Sequence, residues 1–291
     1  MKANRNSLFY IFGLLVFLNI LAGIVFFSLN KDRFLKVNFF DVGQGDAIFI
    51  VTPQKHQILI DGGPSDVILE KLAKKMPFWD RTIDLMILTH PSADHLRGLL
   101  PILERYTINQ ILWTGVEVET AVFEEWVKLI EKEKADIFIS QAGQKIKMGE
   151  FLYIDILHPA QALEGEKMRG GKAINNTSIV ARLTYNENSF LFTGDIEKEV
   201  EKELIEREVY LDSDILKVAH QGSRTSSLRD FIEKVSPEIA VISVGRKNIY
   251  NHPHQEVLDN LKSYGIRILR TDFYGDIKII SNGINYAISN F

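Results

Sequence analysis

The chain has 291 residues, 46% of them hydrophobic, a formal net charge of −4 and no cysteine. This length and apolar content describe a globular chain of one large or two ordinary domains and exclude a disordered one. The acidic balance excludes nucleic-acid binding by bulk charge, and the lack of thiols excludes disulfides and cysteine-ligated zinc, so any metal site must use His, Asp and Glu.

Leu8 to Phe27 is a run of about 20 residues without a charge, the length that matches a hydrocarbon core of roughly 30 Å. Residues 1–30 are therefore expected to be an uncleaved, single-pass membrane anchor. A cleaved signal would have a shorter apolar region of roughly 7–15 residues and a small-residue cleavage site, whereas the exit here reads Phe26-Phe27-Ser28-Leu29-Asn30. Lys2 and Arg5 precede the run and Lys31, Arg33 and Lys36 follow it, so charge leaves the orientation open, with an extracytoplasmic domain preferred.

After a connector at 31–36, residues 37–291 alternate between strands and helices without a low-complexity linker. Short strands are expected at Val37, Ala47 and Gln57, followed by a helix over about 66–75 and a strand ending before His90. A helix over about 96–104 and a strand at Gln110 come next, and then the run from Thr120, whose Phe123, Trp126 and Ile130 recur at helical spacing and read as core. A second block is expected to open near Asp136, with strands at Asp136, Gln144, Phe151, Ser178 and Ser189. A helix over about 196–207 follows, then alternating strands and helices (helices over about 225–235 and 254–264) and a final hairpin from Asp276. Two sheets with helices on their outer faces, an α/β (α+β) fold with one site where the sheets meet, is the expected packing.

THPSADH, from Thr89, puts His90, Asp94 and His95 at the C-terminal end of an apolar strand, where two imidazoles and a carboxylate can converge on one divalent cation. Two more apolar strands end in ligand types, SFLFTGD at Asp195 and DILKVAH at His220. Each alone reads more readily as a turn aspartate or a structural histidine than as a ligand, but the five together mark a metal site. Asp61, ending QILID, either orients a histidine ligand from behind or serves as a turn aspartate. Asp41 and Asp46 flank a Gly-rich turn and are expected to line the rim. His252 is either a partner for a phosphate oxygen or leaving group or a capping residue, with Pro253-His254 opening a helix. Ser223, Arg224 and Thr225 either donate to an anion near a helix N-terminus or simply cap it. His158 reads as structural, and His56 as a turn residue.

The order of HxxxDH, an Asp in TGD and a later strand-end His resembles the metallo-β-lactamase superfamily of hydrolases. DVGQGDA at Asp41, LIDGG at Leu59, NNTS at Asn175, HQGS at His220 and NHPH at Asn251 are similar to the C-terminal metallo-β-lactamase-like domain of ComEC-type DNA-uptake competence proteins. The resemblance covers about 37 to the C-terminus. It implies a four-layer αββα sandwich and one or two Zn²⁺ or Mn²⁺ per chain. It further implies that Asp94, His95 and His220 hold one ion, that Asp195 bridges, and that His90 serves a second ion. Ser92 stands where the superfamily's HxHxDH has a middle imidazole, and Asn175-Asn176 where many members have another, so the second position is expected to be the weaker one, with Asn176 a candidate contact. The implied activity is hydrolysis of a phosphodiester, DNA above all, with Asp94 and His252 as catalytic candidates and a DNA-uptake channel as a possible partner. Another ester, such as a cell-envelope phosphoester or a lactone, and a non-catalytic metal-stabilised binding module are the alternatives.

Overall fold

The computed structural model describes residues 5–30 and 34–289, with side chains described over 9–25 and 34–289. The first helix, α1 (Arg5–Asn30), carries the apolar run. Among the described residues no helix is long and apolar enough to cross a membrane. The expected membrane-spanning anchor, and the single-pass location and extracytoplasmic placement that rested on it, are corrected accordingly. Of the expected connector, 31–33 lie outside the described residues, and Leu35 and Lys36 already belong to a strand.

Fifteen strands among the described residues form two mixed sheets. The first contains β1 (Leu35–Phe39), β2 (Ile48–Val51), β3 (Gln57–Ile60), β4 (Thr82–Leu88), β5 (Thr107–Trp113) and β6 (Asp136–Ile139). The second contains β7 (Lys145–Lys147), β8 (Leu152–His158), β9 (Val180–Tyr185), β10 (Asn188–Phe192), β11 (Ile215–Lys217), β12 (Ile239–Ile242) and β13 (Arg267–Arg270). The chain then returns to the first sheet with β14 (Ile277–Ser281) and β15 (Tyr286–Ser289), giving the order β15-β14-β1-β2-β3-β4-β5-β6 beside β13-β12-β11-β10-β9-β8-β7. Neighbours from β3 to β6 and from β10 to β13 are parallel, and the rest antiparallel. The strand at Asp136 thus extends the first sheet instead of opening a second block.

Strand alternation builds the layers. Ile58, Ile60, Leu85 and Ile87 pack against Phe190, Phe192, Ile239 and Val241 between the sheets. Their sequence neighbours Leu59, Met86 and Leu88 face outward onto α2 (Val67–Lys75), α3 (Ala93–Leu96), α4 (Leu100–Leu103) and α5 (Ala121–Lys132). A short helix, α6 (Gly171–Asn175), precedes β9. On the other side Leu191, Ala240 and Ile242 meet α7 (Lys198–Glu206), α8 (Arg229–Val235) and α9 (Gln255–Ser263), and α10 (Thr271–Tyr274) closes the set. Because both faces of the central strands are covered, these strands are rich in apolar residues, with Lys217 of β11 a buried exception.

Two expected helices differ. The one over 96–104 is broken into α3, a 3₁₀ turn at Arg97–Leu99 and α4, with Gly98 in the turn and Pro101 in α4. The one over 225–235 begins only at Arg229, because Ser226 bonds back to the carbonyls of Ala219 and Ser223. Ser223, Arg224 and Thr225 therefore lie in a loop, not at a helix N-terminus.

Candidate metal centre and cleft

The candidate residues gather at the C-terminal ends of the parallel strands, where side chains leaving neighbouring strands converge. Asp61 follows β3, and His90 follows β4 with Asp94 and His95 in α3. Asp195 follows β10, and His220 follows β11. Glycines permit this approach: a Cβ on Gly98 would lie 1.9 Å from the carbonyl oxygen of Gly62, and one on Gly45 2.0 Å from that of Asp94.

Asp61, fully buried, organises the floor. It accepts from Thr89 N–H at 2.8 Å, Thr89 Oγ1–H at 2.7 Å and His95 Nδ1–H at 2.7 Å. The Thr89 hydroxyl has spent its one proton on Asp61, so at 3.0 Å its oxygen accepts from His90 Nδ1–H. Both rings are thereby oriented with Nε2 toward the site, the atom that can bind a metal. His90 Nε2, His95 Nε2 and Asp195 Oδ1 are buried without a hydrogen-bond partner. Ligand atoms of His90, His95 and Asp195 lie within 4.8 Å of one another, a donor set of two nitrogens and a carboxylate that suits a divalent cation.

Asp94 and His220 stand at the edge of this triplet. Asp94 Oδ2 is 3.9 Å from His95 Nε2, and His220 Nε2 is 4.0 Å from Asp195 Oδ2. Burial alone would raise the Asp195 carboxyl, but the imidazoles of His95, His220 and His90 hold it well below the ordinary carboxylate range. Burial would lower His95, yet Asp195, Asp61 and Asp94 together raise it well above the usual histidine value. Burial and the neighbouring His95 push His90 well below it.

Above the floor opens a cleft of about 400 Å³, lined by Asp94, Asn175, His220, Ser223, Tyr250 and His252 among others. The His252 ring is 5.5 Å from that of His220 and 5.6 Å from that of Tyr250. Burial and the charges of His220 and His254 lower its pKa to about 4, so it is neutral at physiological pH. His254 takes the position before α9 without a side-chain cap bond, and its Nδ1 accepts from Arg224 N–H.

Two expected contacts fall elsewhere. Asp46 is not on the rim: it is buried under the floor and ion-paired with the equally buried Lys217 at 2.5 Å. Burial, partly offset by Lys217, raises its carboxyl to about 6. Asn176 turns away from the cleft, its Oδ1 accepting from Glu197 N–H at 2.8 Å, and it is Asn175 whose amide comes within 3.4 Å of His220 Nε2. Ser223 does line the cleft, with its hydroxyl 3.0 Å from that of Thr225. His158 is buried against the Ser178 carbonyl, and His56 is half-exposed near Asp84.

Sequence reasoning missed Glu197, Gln221 and Gln44. Glu197 lies 3.8 Å from His220 Nδ1, and Gln221 donates to both Asp94 and Asp195. The one signal for Glu197 was its place two residues after the TGD aspartate, and the two amides carried none.

The family model of the metallo-β-lactamase superfamily matches residues 40–246. ComE operon protein 3 of Bacillus subtilis is 32% identical over 260 residues, 84% of this chain and 32% of that protein. Recombination protein 2 of Haemophilus influenzae is 29% identical over 261 residues, 88% of this chain and 30% of that protein. The chain thus spans about a third of the length of these relatives. Among solved structures, the metallo-β-lactamase fold protein YhfI of Bacillus subtilis is similar at a TM-score of 0.55 and 13% identity, covering 85% of this chain and 100% of that one. The chain belongs to the metallo-β-lactamase superfamily, a fold of metal-dependent hydrolases, and is related within it to the ComEC-type competence proteins.

Proposed function

We propose that this protein is a divalent-metal-dependent phosphodiesterase acting on DNA. The observation that carries the reading is the convergence of three buried, unpartnered donor atoms, His90 Nε2, His95 Nε2 and Asp195 Oδ1, at the floor of an open cleft. His90, His95 and Asp195, with Asp94 and His220 beside them, would hold one or two ions, Zn²⁺ or Mn²⁺. A bound divalent ion supplies a water acidified toward pH 7 and neutralises phosphate charge. Asp61 and Thr89 keep both imidazoles turned toward that position. His252, neutral and facing the cleft, donates a hydrogen bond to a phosphate or leaving oxygen. The exposed Arg224 beside Ser223 offers local positive charge for a polyanion on an acidic protein, and Lys172 on the cleft wall, ion-paired with Glu199 at 2.6 Å, would add to it on releasing that partner.

DNA is favoured over other phosphodiesters by the kinship with competence and recombination proteins, and a DNA-uptake channel is the partner that kinship suggests. A panel offering a labelled oligodeoxynucleotide, a simple aryl phosphodiester, a phosphomonoester and a lactone, each with Mn²⁺ or Zn²⁺, tests the reading. Turnover should be fastest on the two diesters and fall by at least on the order of 100-fold in Asp195→Ala. Faster turnover of the lactone, or DNA binding without hydrolysis under any divalent ion, would overturn it.

A further inference from the structure

Gln221 follows His220 in an unusual backbone: the two residues have φ of 53° and 49°, both left-handed and neither a glycine. Such strain persists where the surrounding structure holds it and is concentrated at working sites. Its effect is to aim both side chains into the site. The Gln221 side chain is buried, and its Nε2 lies 3.2 Å from Asp94 Oδ2 and 3.1 Å from Asp195 Oδ2. Carboxylates only accept, so the group facing them is the NH₂, and its two protons serve one carboxylate each. Gln221 Oε1 therefore points away, where it accepts from Nε2 of Gln44, in the turn before β2. Gln44 Oε1 in turn accepts from the backbone N–H of Gly245 at 3.3 Å, which fixes its orientation as well. The remaining proton of the Gln44 amide faces His252 Nδ1 at 3.5 Å, at the long end of hydrogen bonding. Each donor in this chain meets an acceptor only in this one direction.

We propose that Gly245, Gln44 and Gln221 form a directed amide relay that clamps the Asp94 and Asp195 carboxylates for the metal and leaves the proton of His252 on Nε2, toward the cleft. The relay joins both sheets, since Gln44 precedes β2 whereas Gln221 and Gly245 follow β11 and β12. Gln44 and Gln221 are positioning residues, acting through the carboxylates and the imidazole. The inference rests on the reading that Asp94 and Asp195 hold a divalent ion.

The test is calorimetric titration of the full chain with Mn²⁺, alongside ¹⁵N shifts of the His252 ring. Gln221→Met keeps the length of the side chain and removes both donors, and should weaken Mn²⁺ binding by roughly 10–100-fold. Gln44→Met should weaken it less and shift His252 from the Nε2–H tautomer. The double variant should bind no more weakly than Gln221→Met, because the two act in series. Should Gln221→Met not fold, Gln44→Met alone decides, through affinity and tautomer together. Wild-type affinity in the folded single variants, multiplicative losses in the double variant, or an unchanged His252 tautomer in Gln44→Met would overturn the relay. If the wild type binds Mn²⁺ without hydrolysing phosphodiesters, the functional proposal fails and the relay stands. If it binds neither Mn²⁺ nor Zn²⁺, both fall.

Discussion

At Asp61 one carboxylate serves three donors and, directly or through Thr89, sets the orientation of both imidazoles on the floor of the site. Asp61→Ala removes that support while leaving every candidate ligand in the sequence. Metal affinity should fall by roughly 10–100-fold by titration, and an unchanged affinity would show that the imidazoles are held by packing alone. His90, Asp94, His95, Asp195 and His220 were legible in the sequence because they combine a ligand-type side chain with a strand end. Glutamines carry no such signature, so Gln44 and Gln221 become visible only through their distances. Asn175 and Asn176 are adjacent in the sequence, and only the turn of α6 decides which one faces the cleft. Asp46 looked like a rim residue because nothing in an apolar strand announces that Lys217 is buried beneath it.

Between elements, Glu201 on α7 is fully buried and accepts from the backbone N–H groups of Ser227 and Leu228, at 2.6 and 2.8 Å, where the chain enters α8. Burial raises its carboxyl from 4.5 to about 7. An acid raised in the folded state binds its proton more tightly there than in the unfolded chain. Its contribution is therefore most favourable at low pH and is lost as pH rises from about 4.5 to about 7, by on the order of 3 kcal/mol. Glu201→Gln cannot ionise, so denaturation from pH 4.5 to 8 should show the wild type losing stability relative to the variant. Parallel profiles would contradict this. The contact between the Gly62 and Gly98 backbones makes another element-scale prediction. Gly98→Ala would force the turn between α3 and α4 away from the end of β3, and should cost at least about 2 kcal/mol in thermal unfolding. The break at Gly98 and Pro101 was written in the sequence, but the apolar periodicity around it favoured a continuous helix. The late start of α8 depends on side-chain bonds to carbonyls several residues away, which a local pattern does not reveal.

At the scale of the molecule, alternation and strand-end residues were enough to anticipate two sheets with helices outside and a site where they meet. The return of the C-terminal hairpin to the edge of the first sheet was not, because strand order depends on long-range pairing. Nor did the apolar N-terminal run settle its own role: charge-free length alone suggested a membrane span that the described helix does not provide. Since the candidate ligands come from both sheets, a bound ion ties the halves together. At concentrations 100 to 1,000 times Kd it should raise the unfolding midpoint by roughly 5–15 °C. Chelation should reverse the shift, and Asp195→Asn should not show it.

The central claim, that His90, His95 and Asp195 hold the ion on which hydrolysis depends, is tested most directly by adding Mn²⁺ or Zn²⁺ back to chelator-stripped protein while following metal content and phosphodiester turnover together. Turnover is expected to be absent from the stripped protein, to return in step with bound metal, and to stay absent in Asp195→Ala. Turnover that survives stripping, or that returns in Asp195→Ala as it does in the wild type, would contradict the claim.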